Sequence, residues 1–172
     1  MFDEYILNVM IDRILVATDG SPATKKAVGY AIDVAEMADA ELHALYSVAQ
    51  APPGTLPREE WTTKETWDEI PSGVEGEAKE AIEDVVEEAE SEGIEVTRAV
   101  RMGEPHKKII EYADENDIDL IVMGTHGKTG LTNILIGSVT ERVVRYSDTP
   151  VLTVKKDESS GGVNLDRLNP RK

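Results

Sequence analysis

The chain has 172 residues, no cysteine, and a net charge of −16 from 34 acidic and 18 basic side chains. Disulfides, thiolate metal sites and cysteine nucleophiles are therefore excluded, and so acidic a protein is no partner for DNA, RNA or an anionic membrane surface. The expectation is one globular domain in the cytoplasm with no membrane span, and the acidity is compatible with a halophilic source.

Met1 to Asp12 reads as an N-terminal extension without a basic signal-peptide start, and Met10 could itself serve as the initiator. Arg13-Ile-Leu-Val-Ala-Thr18 is nearly all apolar, as expected of a strand covered on both faces. Asp19-Gly-Ser-Pro22 ends it and predicts a helix with Ser21 as N-cap and Pro22 at the first helical position. Glu41 to Val48 is a second strand. Gln50 to Gly73 holds four prolines, Trp61 and Trp67, with no clear period, and reads as a long loop with at most one helical turn. The tryptophans suit either a lid or a partner-docking surface.

Ala78, Ala81, Ile82, Val85, Val86 and Ala89 recur at helical spacing, with glutamates on the other faces as a solvated surface. Gly93 closes that helix, Ile94 to Val100 is a third strand, and Pro105 to Glu115 a further helix. Leu120 to Met123 is a short buried strand, a helix runs from Ser138 to Tyr146, and Pro150 to Val154 is the last strand. The domain is expected over 13–156, followed by a polar, disordered tail over 157–172. Strands alternating with helices in this way predict an α/β three-layer sandwich around a parallel sheet.

Between the fourth strand and the last helix lie Gly124, Gly127 and Gly130, then Gly137 and Ser138. The pattern Gly-x2-Gly-x9-Gly-Ser is neither a Walker A loop nor a dinucleotide fingerprint. It places flexible backbone, the mobile cation Lys128 and the Ser138 hydroxyl before a helix N-terminus, where unpaired N–H groups favour an anion. A phosphate chain is the natural guest. In a parallel sheet, ligands sit beyond the carboxyl ends of strands where strand order reverses, and if the first and fourth strands are neighbours the Thr18-Asp19-Gly20 loop faces this one across a crevice. Asp19 then suits a ribose hydroxyl or a metal-bound water, or simply starts its helix.

Val16-Ala-Thr-Asp-Gly-Ser21, Asp119 to Gly130, Gly137-Ser-Val-Thr-Glu-Arg142 and Thr149 to Val154 together resemble the universal stress protein family. The resemblance implies a Rossmann-like fold of the adenine nucleotide alpha hydrolase type, with a five-stranded parallel sheet in the order 3-2-1-4-5. It also implies homodimers paired through the last strand, Val151, Leu152, Thr153 and Val154. Family members that bind ATP carry the glycine pattern, and this sequence retains it. By resemblance, main chain around Gly124, Gly127, Gly137, Ser138 and Val139 would hold the phosphates, with Lys128, Gly130 and His126 in the same loop. Asp19 would contact the ribose or a Mg2+ or Mn2+ ion. Ala17, Thr18, Met123 and the backbone of Ser47 would line the adenine, although the family often has an aliphatic residue at the Ser47 position. The 50–73 loop carries no transferable role.

The leading expectation is an ATP-binding stress-response regulator with a downstream protein partner. A slow ATPase or phosphotransferase would have only His126 and Asp19 as local candidates for positioning water. A non-catalytic interaction module would instead use the acidic surface and the tryptophan loop.

Overall fold

The computed structural model describes residues 10–49, 60–61, 72–126 and 136–155, of which 60–61 and 72–75 as backbone only. The expected tail, most of the 50–73 loop, and Gly127, Lys128 and Gly130 lie outside the described residues. The strands are β1 (Arg13–Thr18), β2 (Glu41–Val48), β3 (Glu60–Trp61), β4 (Val96–Met102), β5 (Leu120–Gly124) and β6 (Val151–Val154). The helices are α1 (Pro22–Ala38), α2 (Ser72–Ser91), α3 (Pro105–Glu115) and α4 (Ser138–Tyr146).

The sheet order is β3-β4-β2-β1-β5-β6. Without β3 this is the expected parallel sheet with the order 3-2-1-4-5. The sixth strand corrects the reading of Gln50 to Gly73 as a long loop with at most one helical turn: Glu60 and Trp61 pair antiparallel with Arg101 and Val100, and Ser72 and Gly73 already belong to α2. Two residues are too few to show a period.

Successive residues of a strand point to opposite faces, and β1 shows what each face buries. Ile14 and Val16 join Ala27, Val28, Ile32, Ile82, Val85 and Val86 beneath α1 and α2. Leu15 and Ala17 join Ile109, Tyr112 and Val143 beneath α3 and α4. A buried Leu or Ile side chain contributes about 1.5–3 kcal/mol, so these two layers hold the strand ends in place.

Several boundaries moved for identifiable reasons. The expected third strand began at Ile94, but Ile94 N–H donates to Ala89 O and Gly93 adopts φ +78°, so both residues close α2. The strand accordingly starts at Val96 and runs on to Met102. Ser21 holds the N-cap position of α1, yet its side chain makes no capping bond. Asp12, assigned from sequence to the extension, is tied to the sheet: its N–H and that of Arg13 both donate to Asp119 Oδ2.

Under α3 lies a buried polar group. The Tyr112 hydroxyl meets His43 Nδ1 at 2.8 Å, and the Arg101 guanidinium stacks over the Tyr112 ring at 4.7 Å while pairing with Glu115. His43 Nε2 is 3.3 Å from Glu41 Oε1 but not aligned for a hydrogen bond. Burial pushes the His43 pKa below the ordinary 6.5; Glu41 opposes this shift and Arg13 adds to it. With the folded pKa depressed, the unfolded chain takes up its proton first as pH falls. The contribution of His43 to stability is therefore intact above pH 6.5 and lost as pH drops through that value. An NMR titration is expected to place the His43 imidazole below 6.5 in the folded protein; a value at or above it contradicts the burial account.

Candidate functional site

The chain leaves β1 for α1 on one side of the sheet and leaves β5 for α4 on the other, so the β1–β5 seam is where strand order reverses. Two turns open over this seam. In the first, Thr18 Oγ1 accepts the Gly20 N–H at 3.1 Å and Asp19 Oδ1 accepts the Ser21 N–H at 3.0 Å. Gly20 has φ +72° and sits where a Cβ would come 3.1 Å from Ala81 Cβ on α2, so glycine answers both the turn and the packing. The Asp19 carboxylate thus closes an Asx turn onto the Ser21 N–H just before α1.

The second turn begins at Gly124, where a Cβ would lie 3.0 Å from Ala23 O in the first turn of α1. This contact brings the two turns together. Thr140 Oγ1 donates to Gly124 O at 2.9 Å, and Gly137 N–H donates to Thr125 O. A Cβ on Gly137 would meet Thr125 O at 3.2 Å, so the backbone at Thr125 and at Gly137 lies close together as a narrow neck. Gly137 is also the N-cap of α4 and has no side chain with which to cap it. Among the described residues no side chain caps the first turn of α4, whose N–H groups favour an anion.

Of the residues expected at the site, Ala17 and Met123 are register partners and share the α3 side of the seam. Ser47, near the end of β2, alternates to that side with Leu45. Thr18 turns to the α1 side, where its hydroxyl lies 3.3 Å from Thr24 Oγ1 and organises the turn. Gly124, Gly137, Ser138 and Val139 frame the neck, with Ser138 exposed. His126 Nδ1 lies 3.0 Å from Thr125 Oγ1. Ser21 Oγ and Ser47 Oγ are buried side-chain atoms with no hydrogen-bond partner among the described residues. Ser47 stands near the carboxyl end of β2 and Ser21 in the turn beyond β1, where a ligand or water would supply the missing bond.

Thr125 and Thr140, each 4 % exposed, were not singled out from sequence. Their position directly after Gly124 and in the first turn of α4 was visible; the bonds their groups make across the neck were not. Near the start of α3, the Lys107 hydrogen bond holds the Glu104 carboxyl below its ordinary pKa, and Arg142 of α4 stands 3.7 Å from the same carboxylate. A separate cavity of about 360 Å³ lies between α1 and α2, lined by Lys25, Val28, Asp84, Val85, Glu87 and Glu88 among others. It touches Thr18 and Gly20 from behind, and its carboxylates repel an anion.

The Universal stress protein family matches residues 10–155 of the chain. The chain belongs to the universal stress protein family. It is 40 % identical over 159 residues to universal stress protein MJ0531 of Methanocaldococcus jannaschii, covering 88 % of this chain and 91 % of that one. It is also similar to the solved structure of MJ0577 from the same organism, at 30 % identity and TM-score 0.70, covering 87 % and 99 % of the two chains. A universal stress protein from Archaeoglobus fulgidus, solved in complex with dAMP, aligns at 23 % identity and TM-score 0.61 over 85 % of this chain and 99 % of that one. At that identity the likeness speaks for the fold alone. No helix among the described residues of this universal stress protein is long and apolar enough to cross a membrane.

Proposed function

We propose that this universal stress protein binds ATP across the β1–β5 seam and acts as a nucleotide-dependent regulator of the stress response. The observation that carries the reading is the neck at Gly124 and Gly137, which leaves little space for a Cβ on either residue, beside an α4 N-terminus that no described side chain caps. The phosphates rest on the N–H groups of Ser138 and Val139 and accept the Ser138 O–H. The adenine lies by Ala17 and Met123, with its edge read by the Ser47 backbone, and buried Ser47 Oγ offers a further donor. Asp19 addresses the ribose or the metal shell.

Among the described residues no three His, Asp or Glu side chains gather as a metal site. A Mg2+ or Mn2+ ion would be held by phosphate oxygens together with the hard carboxylate of Asp19. Bound there, it offsets phosphate charge on a protein of net charge −16. The role is binding, with weak hydrolysis at most.

Calorimetric titration with ATP and Mg2+, with GTP as control and at low and molar salt, tests the reading. ATP-selective heat at one site per chain supports it; absence of heat at both salts rejects it. In the same assay Ser138→Ala removes one hydrogen bond to a charged group, about 1.5–3 kcal/mol, and is expected to weaken ATP binding at least tenfold. Ser138 is exposed, so its melting temperature should match the parent's. Unchanged affinity would remove the hydroxyl from the phosphate site.

The protein is proposed to pair with a second copy through β6, an edge strand. Pro150 O and Val154 O accept bonds from β5, so by alternation the N–H and C=O of Val151 and Thr153 face the open edge. Exposed Val144 and Tyr146 on α4 lie just before this edge in the chain. A two-fold axis would let the same row of groups satisfy itself. Thr153→Pro deletes one outward donor and no ladder bond, and is expected to give a folded monomer by sedimentation. A variant that remains dimeric argues for another interface.

A further inference from the structure

We propose that nucleotide binding and self-association through β6 are linked, and that the linkage passes through the buried peptide units at Gly124 and Thr125. The inference rests on the nucleotide reading and the β6 pairing proposed above. Thr125 N–H donates to Val154 O, the last residue of the edge strand, at 2.9 Å, and Thr125 C=O accepts the N–H of Gly137, the N-cap of α4. One residue earlier, Gly124 is the register partner of Val154 and its carbonyl accepts Thr140 Oγ1 from the first turn of α4. Two consecutive residues thus bond the end of the open edge on one side and the start of the phosphate-facing helix on the other. Thr125, Thr140 and Val154 are 4 %, 4 % and 6 % exposed, so water does not compete freely for these bonds.

The circuit closes through the chain itself. α4 leads through 147–150 directly into β6, with Ser147 N–H bonded to Val143 O and Thr149 N–H to Ser147 Oγ. A phosphate at the α4 N-terminus needs Gly137 to Thr140 held against Gly124 and Thr125. Antiparallel self-pairing needs Val151 to Val154 held in register against the same β5 end. Each event selects the arrangement the other uses, so the coupling is positive, and by linkage it is reciprocal. Coupling of this kind typically amounts to 5–150-fold.

The test is sedimentation of the full chain across a dilution series, with and without saturating ATP and Mg2+, beside calorimetry on the same samples. The expected result is a dimer about tenfold tighter with nucleotide. Thr140→Val, which removes the bond to Gly124 O, should reduce that factor, and Thr140→Ser should restore it. Reciprocally, the monomeric Thr153→Pro protein should bind ATP more weakly than the dimer by about threefold per site, the square root of that factor, because each dimer holds two nucleotides. Heat of ATP binding with an unchanged dimer constant overturns the coupling and leaves the nucleotide reading standing. Equal ATP affinity in dimer and Thr153→Pro monomer does the same without relying on Thr140→Val to fold, and a chain that stays monomeric with and without ATP also overturns it. Absence of ATP heat removes the nucleotide reading, and the coupling with it.

Discussion

Gly124→Val is expected to abolish ATP binding, weakening it at least about a hundredfold, while lowering stability by about 1–3 kcal/mol. The first side-chain carbon already meets Ala23 O at 3.0 Å and His126 O at 3.3 Å, and both are backbone atoms that cannot rotate away. Valine adds two more carbons in the same space. The end of β5 must then part from the first turn of α1, which separates the two turns proposed to embrace the nucleotide. The Thr140 bond to Gly124 O is strained by the same movement. Calorimetry and thermal melting of one preparation check both halves of the expectation. A variant that melts near the parent temperature and binds ATP normally would show that the neck tolerates a side chain, and the reading of Gly124 would be wrong.

Tyr112→Ala should instead damage stability and spare the nucleotide. Tyr112 is 1 % exposed, and emptying so large a buried site costs about 3–5 kcal/mol. In a chain of this size that lowers Tm by roughly 10 °C. The substitution also strips His43 Nδ1 of its 2.8 Å partner and the Arg101 guanidinium of the ring beneath it. Tyr112→Phe keeps the ring and loses only the hydroxyl, so its cost should be about 1–3 kcal/mol. Urea unfolding of the three proteins measures the series. If the Ala and Phe variants were equally destabilised, the hydroxyl rather than the ring would dominate.

Much of this architecture was legible because its punctuation is chemical. Pro22 and Pro105 mark the first residues of α1 and α3, and Gly137-Ser138 marks the start of α4. The apolar runs of β1 and β2 gave their limits because both faces of each strand are covered. Where tertiary contacts decide, sequence reading stopped short. Ile94 is as apolar as a strand residue, but it is spent on closing α2, and Met102 extends β4 through its pairing with Val48. Glu60 and Trp61 became a strand only because the edge of β4 was there to pair with.

The site divides in the same way. Glycines at 124 and 137 announce themselves, since their spacing and the following serine suggest an anion. That Thr18 would turn toward α1 follows from the parity of β1, which is set by which face each helix covers. Ser21 holds the N-cap position expected of it, but its hydroxyl makes no capping bond, and the turn is closed instead by the Asp19 carboxylate accepting the Ser21 N–H. Thr125 and Thr140 have no distinctive spacing; their importance lies in carbonyls and amides 16 and 29 residues away in the chain.

The most direct test of the central claim is a crystal structure of the full chain grown with ATP and Mg2+. Nucleotide across the β1–β5 seam is the predicted result, with phosphate oxygens within hydrogen-bond distance of the Ser138 and Val139 N–H groups and the adenine beside Ala17 and Met123. Nucleotide bound elsewhere, for instance in the cavity between α1 and α2, would contradict it.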